Sequence, residues 1–349
     1  MSRVGAVLSA LPVFSTTQYP LLFDVGSTTT RLMHKGKIVH QEPTCIAVHA
    51  RTRDVVAIGS KAVSLLGKVS DKFEVIFPMV GGEFVSDKMA SLFLEALLQK
   101  VAVESLTKLV GFSVVVVVPT VLSPVQQQVY QDVFAAAGFR SCRLVAESDV
   151  LLDGVGGKGK KETFCYFDLG GQKSEAVIFT LDEVIQTHDF AMGGVLFTEA
   201  VQRQVRLQHN IEISWQIAET IKQEICTLAP FITGGSRVKP IKMTIRGKDV
   251  VTQAGKTVII SSEDFTDTFS FFVEELLDEL QYFFSTVPAH LVAETLESGV
   301  FITGGLSAMA GMRELLETTF STPVRMSTQS QLDVCKSLAL YIGQHETER

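Results

Sequence analysis

The sequence predicts an α/β protein made of two similar α/β halves with a cleft between them, and three observations carry this prediction. A strand–Asp–Gly–turn–strand pattern occurs at 21–39 and again at 164–186, and each copy is followed by further strands and helices. The run SVVVVVP (113–119) indicates a strand buried on both faces. With 349 residues, the chain is long enough for two domains with cores of their own.

Composition and charge argue against several classes of protein. Hydrophobic residues make up 46% of the chain and charged residues 20%, which predicts a folded globular protein. The net charge of −7, without a dense Lys/Arg stripe, argues against nucleic-acid binding. The five cysteines are scattered and form no CxxC pair, which argues against zinc sites and suits the cytosol. The most apolar run, VGFSVVVVVP, is too short to span a bilayer.

Residues 1–20 leave three interpretations open. The stretch MSRVGAVLSALPVF is typical of a flexible N-terminal tail. It also fits a short membrane-surface helix, which Pro12 would interrupt, or a weak signal peptide that lacks an A-x-A-like cleavage site.

In the first half, LLFDVGSTTTRLMHKGKIV predicts a hairpin in which GSTTT is the turn and RLMHKGKIV returns as one strand. A second pair of strands is predicted at 44–58. Ser86 caps an amphipathic helix, and Ser123 caps another that has proline at its first position and ends at Gly138. The glycine-rich stretch 153–162 predicts a linker or an exposed loop.

In the second half, TFCYFDLGGQKSEAVIF repeats the strand–turn–strand pattern. Helices are predicted at about 195–209 and 215–228, followed by a strand-rich segment at 238–260. Another helix with an apolar face follows, and the buried strand GVFIT then ends in glycines before a helix at about 308–320. The apolar face of the helix before GVFIT comprises Phe269, Phe272, Val273, Leu276, Leu277 and Leu280.

Two glycine turns occupy matching places in the two halves. In the first, Gly26 permits a tight turn, and the hydroxyls and amides that follow would point at a ligand. In the second, Asp168 precedes Gly170 and Gly171. Either turn alone also fits a plain hairpin. Together they predict a clamp on a phosphate chain, with Asp24 and Asp168 available to one Mg²⁺ through water.

Two further features have both a functional and an ordinary interpretation. The turn Thr303-Gly304-Gly305 could pass close to a base or a ribose, or could be a plain strand-to-helix turn. Glu147 lies where a strand passes into a helix, where a carboxylate could orient an attacking water or be an exposed surface acid.

The ordered motifs resemble the actin, heat-shock-chaperone and sugar-kinase superfamily, and most closely its MreB family of bacterial rod-shape actins. DVGSTTT resembles the family's D-L-G-T-x-N-T, EPT its E-P-S, and FPMVGGEF its R-P-M-x-D-G-V-I. VVVVP matches V-x-V-P, and LVAESDVLLDGVG resembles L-I-E-E-P-M-A-A-A-I-G. DLGGQKSEAVI resembles D-I-G-G-G-T-T-E-V-A-V-I, ETIKQEI resembles E-R-I-K-x-E-I, and GVFITGGLSAMAGM resembles G-x-x-L-T-G-G-G-x-L-L-x-x-L. The resemblance covers about 20–345.

The resemblance implies an actin-like ATPase fold that binds ATP with Mg²⁺, with GTP not excluded. It assigns Glu147 to the glutamate that positions the hydrolytic water, and Asp24 and Asp168 to water-mediated magnesium binding. The nucleotide-binding residues that it implies are Gly26, Ser27, Thr28, Thr29, Gly170, Gly171, Gln172, Lys173, Glu219, Lys222, Gly304, Gly305, Leu306 and Ser307.

The resemblance also implies the domain organisation. After the tail at 1–20, domain I covers 21–163, with a small subdomain at about 36–85, and a C-terminal helix at about 330–349 completes it. Domain II covers 164–329, with a small subdomain at about 230–262.

Several residues depart from the family pattern. Gln172 stands for the third glycine of the second turn, and Lys173 for a threonine. If that position has positive φ, the glutamine carries backbone strain, whereas Lys173 could add positive charge near the phosphates. Val195, Ser148 and Thr29 replace an aspartate, a proline and an asparagine. We therefore expect nucleotide binding with weakened hydrolysis.

The function implied is that of a cytoskeletal protein that polymerises into filaments at the inner face of the cell membrane. Its partners would be copies of itself and membrane proteins of a shape or wall-synthesis complex, and its location cytoplasmic and peripheral to the membrane. Leu109 and Val110, in TKLVGF, fit a shallow membrane insertion or simply the start of a strand.

Three alternatives remain open at this point. A sugar or acetate kinase of the same superfamily would need a further carboxylate base, and the sequence shows none with a clear role. A chaperone-like ATPase would need a substrate-binding domain after the last glycine turn. A divergent, inactive paralogue could act only as a scaffold.

Overall fold

The computed structural model describes residues 20–66, 72–104, 113–156, 163–232 and 239–346. Dense internal contacts divide the described residues into two compact units. The first comprises those of Met1–Ala62 and Asp71–Ala146, and the second those of Val63–Ser70 and Glu147–Arg349. Each unit has its own five-stranded sheet and its own hydrophobic core.

Strands and three helices make up the chain between residues 20 and 146, as far as the structure describes it. In chain order they are β1 (Leu21–Val25), β2 (Thr29–His34), β3 (Lys37–Pro43), β4 (Ile46–His49), β5 (Val55–Ile58), α1 (Gly59–Val63), β6 (Phe73–Ile76), β7 (Met79–Val80), β8 (Glu83–Phe84), α2 (Asp87–Glu104), β9 (Ser113–Val118), α3 (Pro124–Ala136) and β10 (Ser141–Ala146).

The main sheet of the first unit has the order β10-β9-β1-β2-β3. β1 is antiparallel to β2 and parallel to β9, and β9 is parallel to β10. The valine run of β9 is buried from its second residue onward, as the sequence predicts for a strand covered on both faces. Edge-to-face contacts of Phe23 with Phe134 and Phe139 join this sheet to the end of α3.

The return of the first hairpin differs from the prediction, because RLMHKGKIV forms two strands instead of one. Lys35 and Gly36 both have positive φ, at 51° and 71°, and reverse the chain between β2 and β3. Two consecutive left-handed residues form the kind of two-residue turn that suits the twist of a hairpin. The dipeptide Lys35-Gly36 is the sequence signal for this turn, but the apolar residues on both sides of it are typical of one continuous strand.

The second unit contains most of the helices. From residue 147 to residue 346 the described elements are α4 (Glu147–Leu151), a π turn (Leu152–Gly156), β11 (Thr163–Leu169), β12 (Ser174–Thr180), β13 (Glu183–Phe190), α5 (Gly194–His209), β14 (Ile211–Glu212), α6 (Trp215–Glu224), a 3-10 turn (Ala229–Phe231), β15 (Lys242–Asp249), β16 (Gly255–Ser261), a 3-10 turn (Ser262–Phe265), α7 (Thr266–Thr286), α8 (Ala289–Ser298), β17 (Val300–Thr303), a 3-10 turn (Leu306–Ala308), α9 (Met312–Phe320), β18 (Val324–Met326), a 3-10 turn (Ser330–Leu332) and α10 (Asp333–Glu346).

The main sheet of the second unit repeats the topology of the first. Its order is β13-β12-β11-β17-β18, with β11 antiparallel to β12 and parallel to β17. The first strand of each sheet is therefore central, and the second and third strands form a meander beside it. This matches the internal repeat in the sequence, in which the aspartate-glycine turn follows the first strand of each copy.

The C-terminal helix α10 packs against α4 and the π turn within the second unit. The approach is close at Gly154, where a Cβ atom would clash with the side chain and backbone of Ser337. At the other end of α10, His345 is hydrogen-bonded to Asp153 at 3.0 Å. The contacts thus group residues 147–156 and α10 with the second unit, whereas the predicted domain I includes both, and the domain bounds stay a prediction.

Capping residues define several helix boundaries as the sequence predicts. Ser123 forms a capping box with Gln126 at the start of α3, and Gly138, with φ of 97°, follows its end. α6 ends at Glu224, four residues before its predicted end. Among the described residues, no helix combines the length and the apolar character that crossing a membrane requires.

Candidate nucleotide-binding loops

Loop 1, residues 26–28, joins β1 to β2. The N–H of Gly26 donates to the carbonyl oxygen of Thr29 at 3.1 Å, which closes a tight turn. A Cβ atom on Gly26 would lie 2.9 Å from the same oxygen, closer than real Cβ contacts. This turn therefore requires glycine, as predicted from the sequence, and leaves the amides that follow it at the end of the sheet.

Thr44 braces loop 1 from the beginning of the next segment. Its hydroxyl donates to the carbonyl oxygen of Gly26 at 2.6 Å, and its N–H donates to the carbonyl oxygen of Thr28 at 3.0 Å. A further hydrogen bond of 2.8 Å joins its hydroxyl to that of Thr30, and both side chains are buried. In the sequence, Thr44 stands out only through the resemblance of EPT to the family's E-P-S, which gives no sign of this role.

Ser27 connects loop 1 to the β7–β8 hairpin. The N–H of Gly82 donates to the Ser27 hydroxyl oxygen at 3.0 Å, and the hydroxyl of Tyr130 donates to the carbonyl oxygen of Gly82 at 2.9 Å. Because the Ser27 oxygen accepts in this contact, its own O–H can still donate to a ligand. The hairpin therefore fixes the oxygen of Ser27 without using its proton.

Two carboxylates near loop 1 are neutralised within the first unit. Asp24 forms an ion pair with Arg31, its cross-strand neighbour, at 2.9 Å. Glu42 is buried and pairs with Lys100, and it also accepts hydrogen bonds from the N–H and hydroxyl of Ser60. Burial raises the pKa of Glu42, but Lys100 and Ser60 together outweigh it, so that the pKa lies below its ordinary value.

Loop 2, residues 170–173, joins β11 to β12 and is one residue longer than loop 1. A Cβ atom on Gly170 would clash with the carbonyl oxygen of Lys173. The loop is attached to the start of α5, because Gly194 N–H donates to the carbonyl oxygen of Gly170 at 3.0 Å and Val195 N–H to that of Gly171 at 2.8 Å. The first N–H groups of α5 thus bind two carbonyl oxygens of loop 2.

Gln172 and Lys173 are the two residues of loop 2 that depart from the family pattern. Gln172 is not among the residues with positive φ, so the condition for left-handed strain is not met. The side chain of Lys173 forms an ion pair with Asp189 of β13 at 2.6 Å, and both side chains are about one-quarter to one-third exposed (24% and 34%). The lysine charge next to loop 2 is therefore already partly compensated by a carboxylate.

Glu219 and Lys222 of α6 meet the start of α5. Lys222 Nζ donates to the carbonyl oxygen of Gly194 at 3.0 Å and to the hydroxyl of Thr198 at 2.9 Å, and it pairs with Glu219 at 2.8 Å. The Thr198 hydroxyl also donates to Glu219 at 2.6 Å. Because the N–H of Gly194 in turn donates to Gly170, these polar groups are connected to loop 2 through the first residue of α5.

The third glycine turn lies directly against the end of β11, just before loop 2. Gly304 has φ of 86°, and a Cβ atom there would clash with the carbonyl oxygen of Leu169 and the carboxylate of Asp168. Gly305 has open space around it. Leu306 and Ser307 are buried, and the Ser307 hydroxyl donates to the carbonyl oxygen of Gly304 at 2.7 Å.

Glu147 begins α4 immediately after β10 and is partly buried. The π turn that follows α4 replaces the regular helix over Leu152–Gly156. Insertions of this kind are frequent at functional sites. α10 supports this segment through the contacts at Gly154 and Asp153 described above.

Both loops have the features that a phosphate chain requires. Each is closed by a glycine at which a side chain would clash with the backbone, and loop 1 and the start of β2 add the hydroxyls of Ser27, Thr28 and Thr29. Within the described part of the chain, no group of three or more His, Cys, Asp or Glu side chains could hold a metal ion. Asp24 and Asp168, to which the resemblance assigns water-mediated magnesium binding, each lie one residue before the end of the first strand of their own sheet.

A family model described as MreB/Mbl protein matches residues 19–348. The chain belongs to the MreB/Mbl family. This confirms the family resemblance found in the sequence, and the low identities to the relatives described next make the chain a divergent member of the family.

Two relatives in the MreB/Mbl family show how low the sequence identity is. The cell shape-determining protein Mbl of Bacillus cereus is 24% identical over 310 residues, which cover 86% of this chain and 89% of the relative. The cell shape-determining protein MreB of Escherichia coli is 24% identical over 314 residues, which cover 87% of each chain.

Two crystal structures of a family member share the fold. MreB5 of Spiroplasma citri bound to AMPPNP has a TM-score of 0.83 at 18% identity, over 95% of this chain and 98% of the other. The same protein bound to ADP has a TM-score of 0.84 at 18% identity, over 96% and 99%. The predicted actin-like fold class is thereby confirmed.

The site residues predicted from the MreB/Mbl resemblance fall into three groups. Within the first unit lie Asp24 and loop 1, and within the second lie Glu147, loop 2, the α6 pair and the third glycine turn. The predicted membrane contact, Leu109 and Val110, lies outside the described residues. Thr44, Thr198 and Asp189 are additional polar residues that the structure brings to these loops.

Proposed function

We propose that this protein is an actin-like cytoskeletal protein with a role in cell shape, which binds ATP with Mg²⁺ and polymerises into filaments. The observation that carries the proposal is the repeated topology, in which both sheets end their first strand in a glycine-closed turn of the kind that binds phosphate. The names of the relatives as cell shape-determining proteins support the cellular role. The nucleotides in the Spiroplasma citri structures support nucleotide binding.

In this proposal the two loops bind the phosphate chain by different means. Loop 1 donates hydrogen bonds from its amides and from the hydroxyl of Ser27, whose oxygen the Gly82 N–H already orients. Loop 2 donates from the amides of residues 171–173, and Lys173 adds a positive charge that Asp189 partly compensates. Mg²⁺ would neutralise phosphate charge when bound, with Asp24 and Asp168 holding its waters.

We further propose that hydrolysis is slow. Glu147 would accept a hydrogen bond from the attacking water and so orient it. Gln172 and Lys173 place two long side chains on loop 2, where the family has a glycine and a threonine, and their bulk would restrict the position of the terminal phosphate. Because Gln172 does not have a positive φ, we attribute the slow hydrolysis to crowding of the terminal phosphate and not to backbone strain.

Association with the inner face of the membrane, as a peripheral cytoplasmic protein, is also part of the proposal. Its support is the pair Leu109 and Val110 in the apolar segment TKLVGF. Membrane proteins of a shape or wall-synthesis complex would be the partners at that surface. Flotation with liposomes, compared between the natural chain and a variant with Leu109→Ser and Val110→Ser, tests this part, and equal flotation of the two would contradict it.

The decisive experiment is sedimentation of the purified full chain with and without Mg-ATP, with phosphate release measured in the same sample. We expect ATP-dependent pelleting and slow release of phosphate. A chain that stays monomeric at high concentration with Mg-ATP would rule out the filament proposal. Fast phosphate release would contradict the proposal of weakened hydrolysis.

A loop 2 variant tests the cause of the slow hydrolysis. Gln172→Gly should raise phosphate release if the glutamine crowds the terminal phosphate. Thr180→Gly, at the other end of β12, is a control for the general loosening that glycine causes in this region. If only the control raises the rate, crowding by Gln172 is not the cause.

A further inference from the structure

One exposed face of helix α7 combines acidic and aromatic side chains. Phe271 and Tyr282 are 64% and 57% exposed, and between them lie Glu274, Glu275 and Asp278. We call these five residues the α7 face. They line one shallow depression, so the two rings border a continuous acidic surface. Large aromatic side chains exposed beside polar residues are typical of protein-protein contacts.

The α7 face carries negative charge that its own unit does not neutralise. Glu274 and Asp278 are four residues apart on one helix, a spacing at which like charges destabilise a helix. Neither they nor Glu275 forms an ion pair among the described residues. The nearby Glu279, by contrast, pairs with His188 at 2.7 Å. A positively charged partner would relieve this repulsion.

The same unit exposes a positively charged face on the small sheet of β14, β15 and β16. Lys242, Arg246 and Lys248 point to one side of β15, because alternate residues of a strand share a face and all three are exposed. None of them forms an ion pair among the described residues. On β16, Ile259 is 65% exposed and lies opposite Thr244, in the middle of the cations. We call Lys242, Thr244, Arg246, Lys248 and Ile259 the β15 face.

The two faces match in charge, composition and length. Both have an apolar centre or border, and the signs of their named charges are opposite; an acid beside the cations, Glu212 opposite Lys248, already pairs with Arg206. From Phe271 to Tyr282 the helix rises about 16 Å at 1.5 Å per residue. From Lys242 to Lys248 the strand extends about 20 Å at 3.3 Å per residue. Since both faces are exposed in the same chain, neither covers the other within it.

We propose that the α7 face of one copy binds the β15 face of the next copy. Two different surfaces of one chain then form a head-to-tail contact, which continues into an open polymer unless its rotation closes a ring. This inference rests on the proposed function, because it names surfaces through which filament subunits associate. The partner is a second copy of this chain, since the chain itself carries the complementary surface.

Charge reversal on either face tests the contact. The acid-reversed variant carries Glu274→Lys and Asp278→Lys, and the base-reversed variant carries Lys242→Glu and Lys248→Glu. Each alone should lose most of its pelleting, because like charges then meet at every contact. A control with Glu297→Lys and Glu314→Lys, which reverses two exposed acids on α8 and α9, should pellet like the natural chain.

An equimolar mixture of the two reversed variants gives the sharpest result. One variant has two basic faces and the other two acidic faces, so only the mixture can alternate along a polymer. We expect the mixture to associate when neither variant does, as measured by sedimentation velocity with and without Mg-ATP, and to weaken as salt rises. A mixture that stays monomeric in both conditions would overturn the inference.

The outcomes separate this inference from the proposed function. If the natural chain and both variants polymerise equally with Mg-ATP, the filament proposal stands and the α7–β15 contact is wrong. If the natural chain does not polymerise but the mixture forms complexes, the contact stands without the nucleotide-driven polymer. If the acid-reversed variant polymerises normally and loses only a different, basic protein, the α7 face serves another partner and the inference is also wrong.

Discussion

Loop 1 and loop 2 occupy the same place in two sheets of the same topology, yet their surroundings differ in charge. Beside loop 1, Asp24 of the first strand lies opposite Arg31 and is neutralised by it. Beside loop 2, Asp168 lies opposite Glu175, which in turn lies opposite Asp189. Three carboxylates thus follow one another across β11, β12 and β13, where like charges repel.

The difference shows how each loop is stabilised. Loop 1 depends on hydroxyl groups. That of Thr44 is hydrogen-bonded to both Gly26 and Thr30, and that of Ser27 accepts a hydrogen bond from the N–H of Gly82. Loop 2 depends on close backbone packing against the start of α5 and on the Lys173–Asp189 pair beside its carboxylates. Loop 2 is therefore the more sensitive to added volume and to changes of charge.

The largest effect is expected at Gly304, which packs against the end of β11 just before loop 2. Gly304→Ala combines positive φ with a clash against Leu169 and Asp168, and should lower the free energy of unfolding by about 3 kcal/mol or more. Gly305→Ala, with open space around its Cβ position, should be close to neutral. Thermal unfolding of both variants measures the difference, and equal midpoints would contradict the close packing of Gly304 against the end of β11.

A direct comparison of the loops comes from one substitution made in each. Both clashes are with backbone carbonyl oxygens, but that of Gly170 with Lys173 is much the closer, so Gly170→Ala should cost about 2–3 kcal/mol, whereas Gly26→Ala, at 2.9 Å from the oxygen of Thr29, should cost about 1 kcal/mol. Urea unfolding of each variant gives the two values. A larger loss for Gly26→Ala would reverse the ranking of the loops.

A lower pH should reduce the stabilisation that Glu42 contributes to the folded chain and increase the contribution of Asp333. The pKa of Glu42 lies below its ordinary value in the folded chain, so its stabilisation is present above that ordinary value and is lost as pH falls through the lowered one. Burial raises the pKa of Asp333, although the hydrogen bond from Ser327 and the charge of Lys336 oppose this, so its contribution is present at low pH and is lost as pH rises through the raised value.

Two amide variants check these opposite signs. At about pH 7, Glu42→Gln should lower the free energy of unfolding by about 1.5 kcal/mol or more, and Asp333→Asn should raise it. Both differences should shrink toward about pH 3, where carboxyl groups become neutral. The measurement is the unfolding midpoint across this range, and a difference that stays constant with pH would count against the assigned carboxylate.

The smallest effect is expected at Asp189. Asp189→Asn leaves the charge of Lys173 uncompensated beside loop 2 and should tighten ATP binding about two- to five-fold, the range expected for a partly exposed ion pair. Glu183→Gln, which removes an exposed carboxylate from the same strand, is the matched control. Titration with a fluorescent ATP analogue measures both, and unchanged affinity in Asp189→Asn would show that Lys173 does not reach the phosphates.

Much of the fold followed from local patterns in the sequence. The repeat of strand, aspartate and glycine turn predicted two similar sheets, and the valine run predicted β9, because both patterns depend on neighbouring residues. Ser123, Pro124 and Gly138 predicted the limits of α3 for the same reason. The reversal at Lys35 and Gly36 was missed, since the apolar residues around it continue the pattern of a single strand.

The sequence by itself determined which family this chain belongs to and which residues form the two loops, since both depend on the order of short motifs. Only the tertiary structure decided how those residues are held. Thr44 reaches Gly26 across 18 positions, and Asp189 pairs with Lys173 across 16. Such partners come together through sheet register and helix packing, which long-range folding sets and local spacing does not reveal. For the same reason, the α7 and β15 faces become recognisable only when each side chain is known to be exposed.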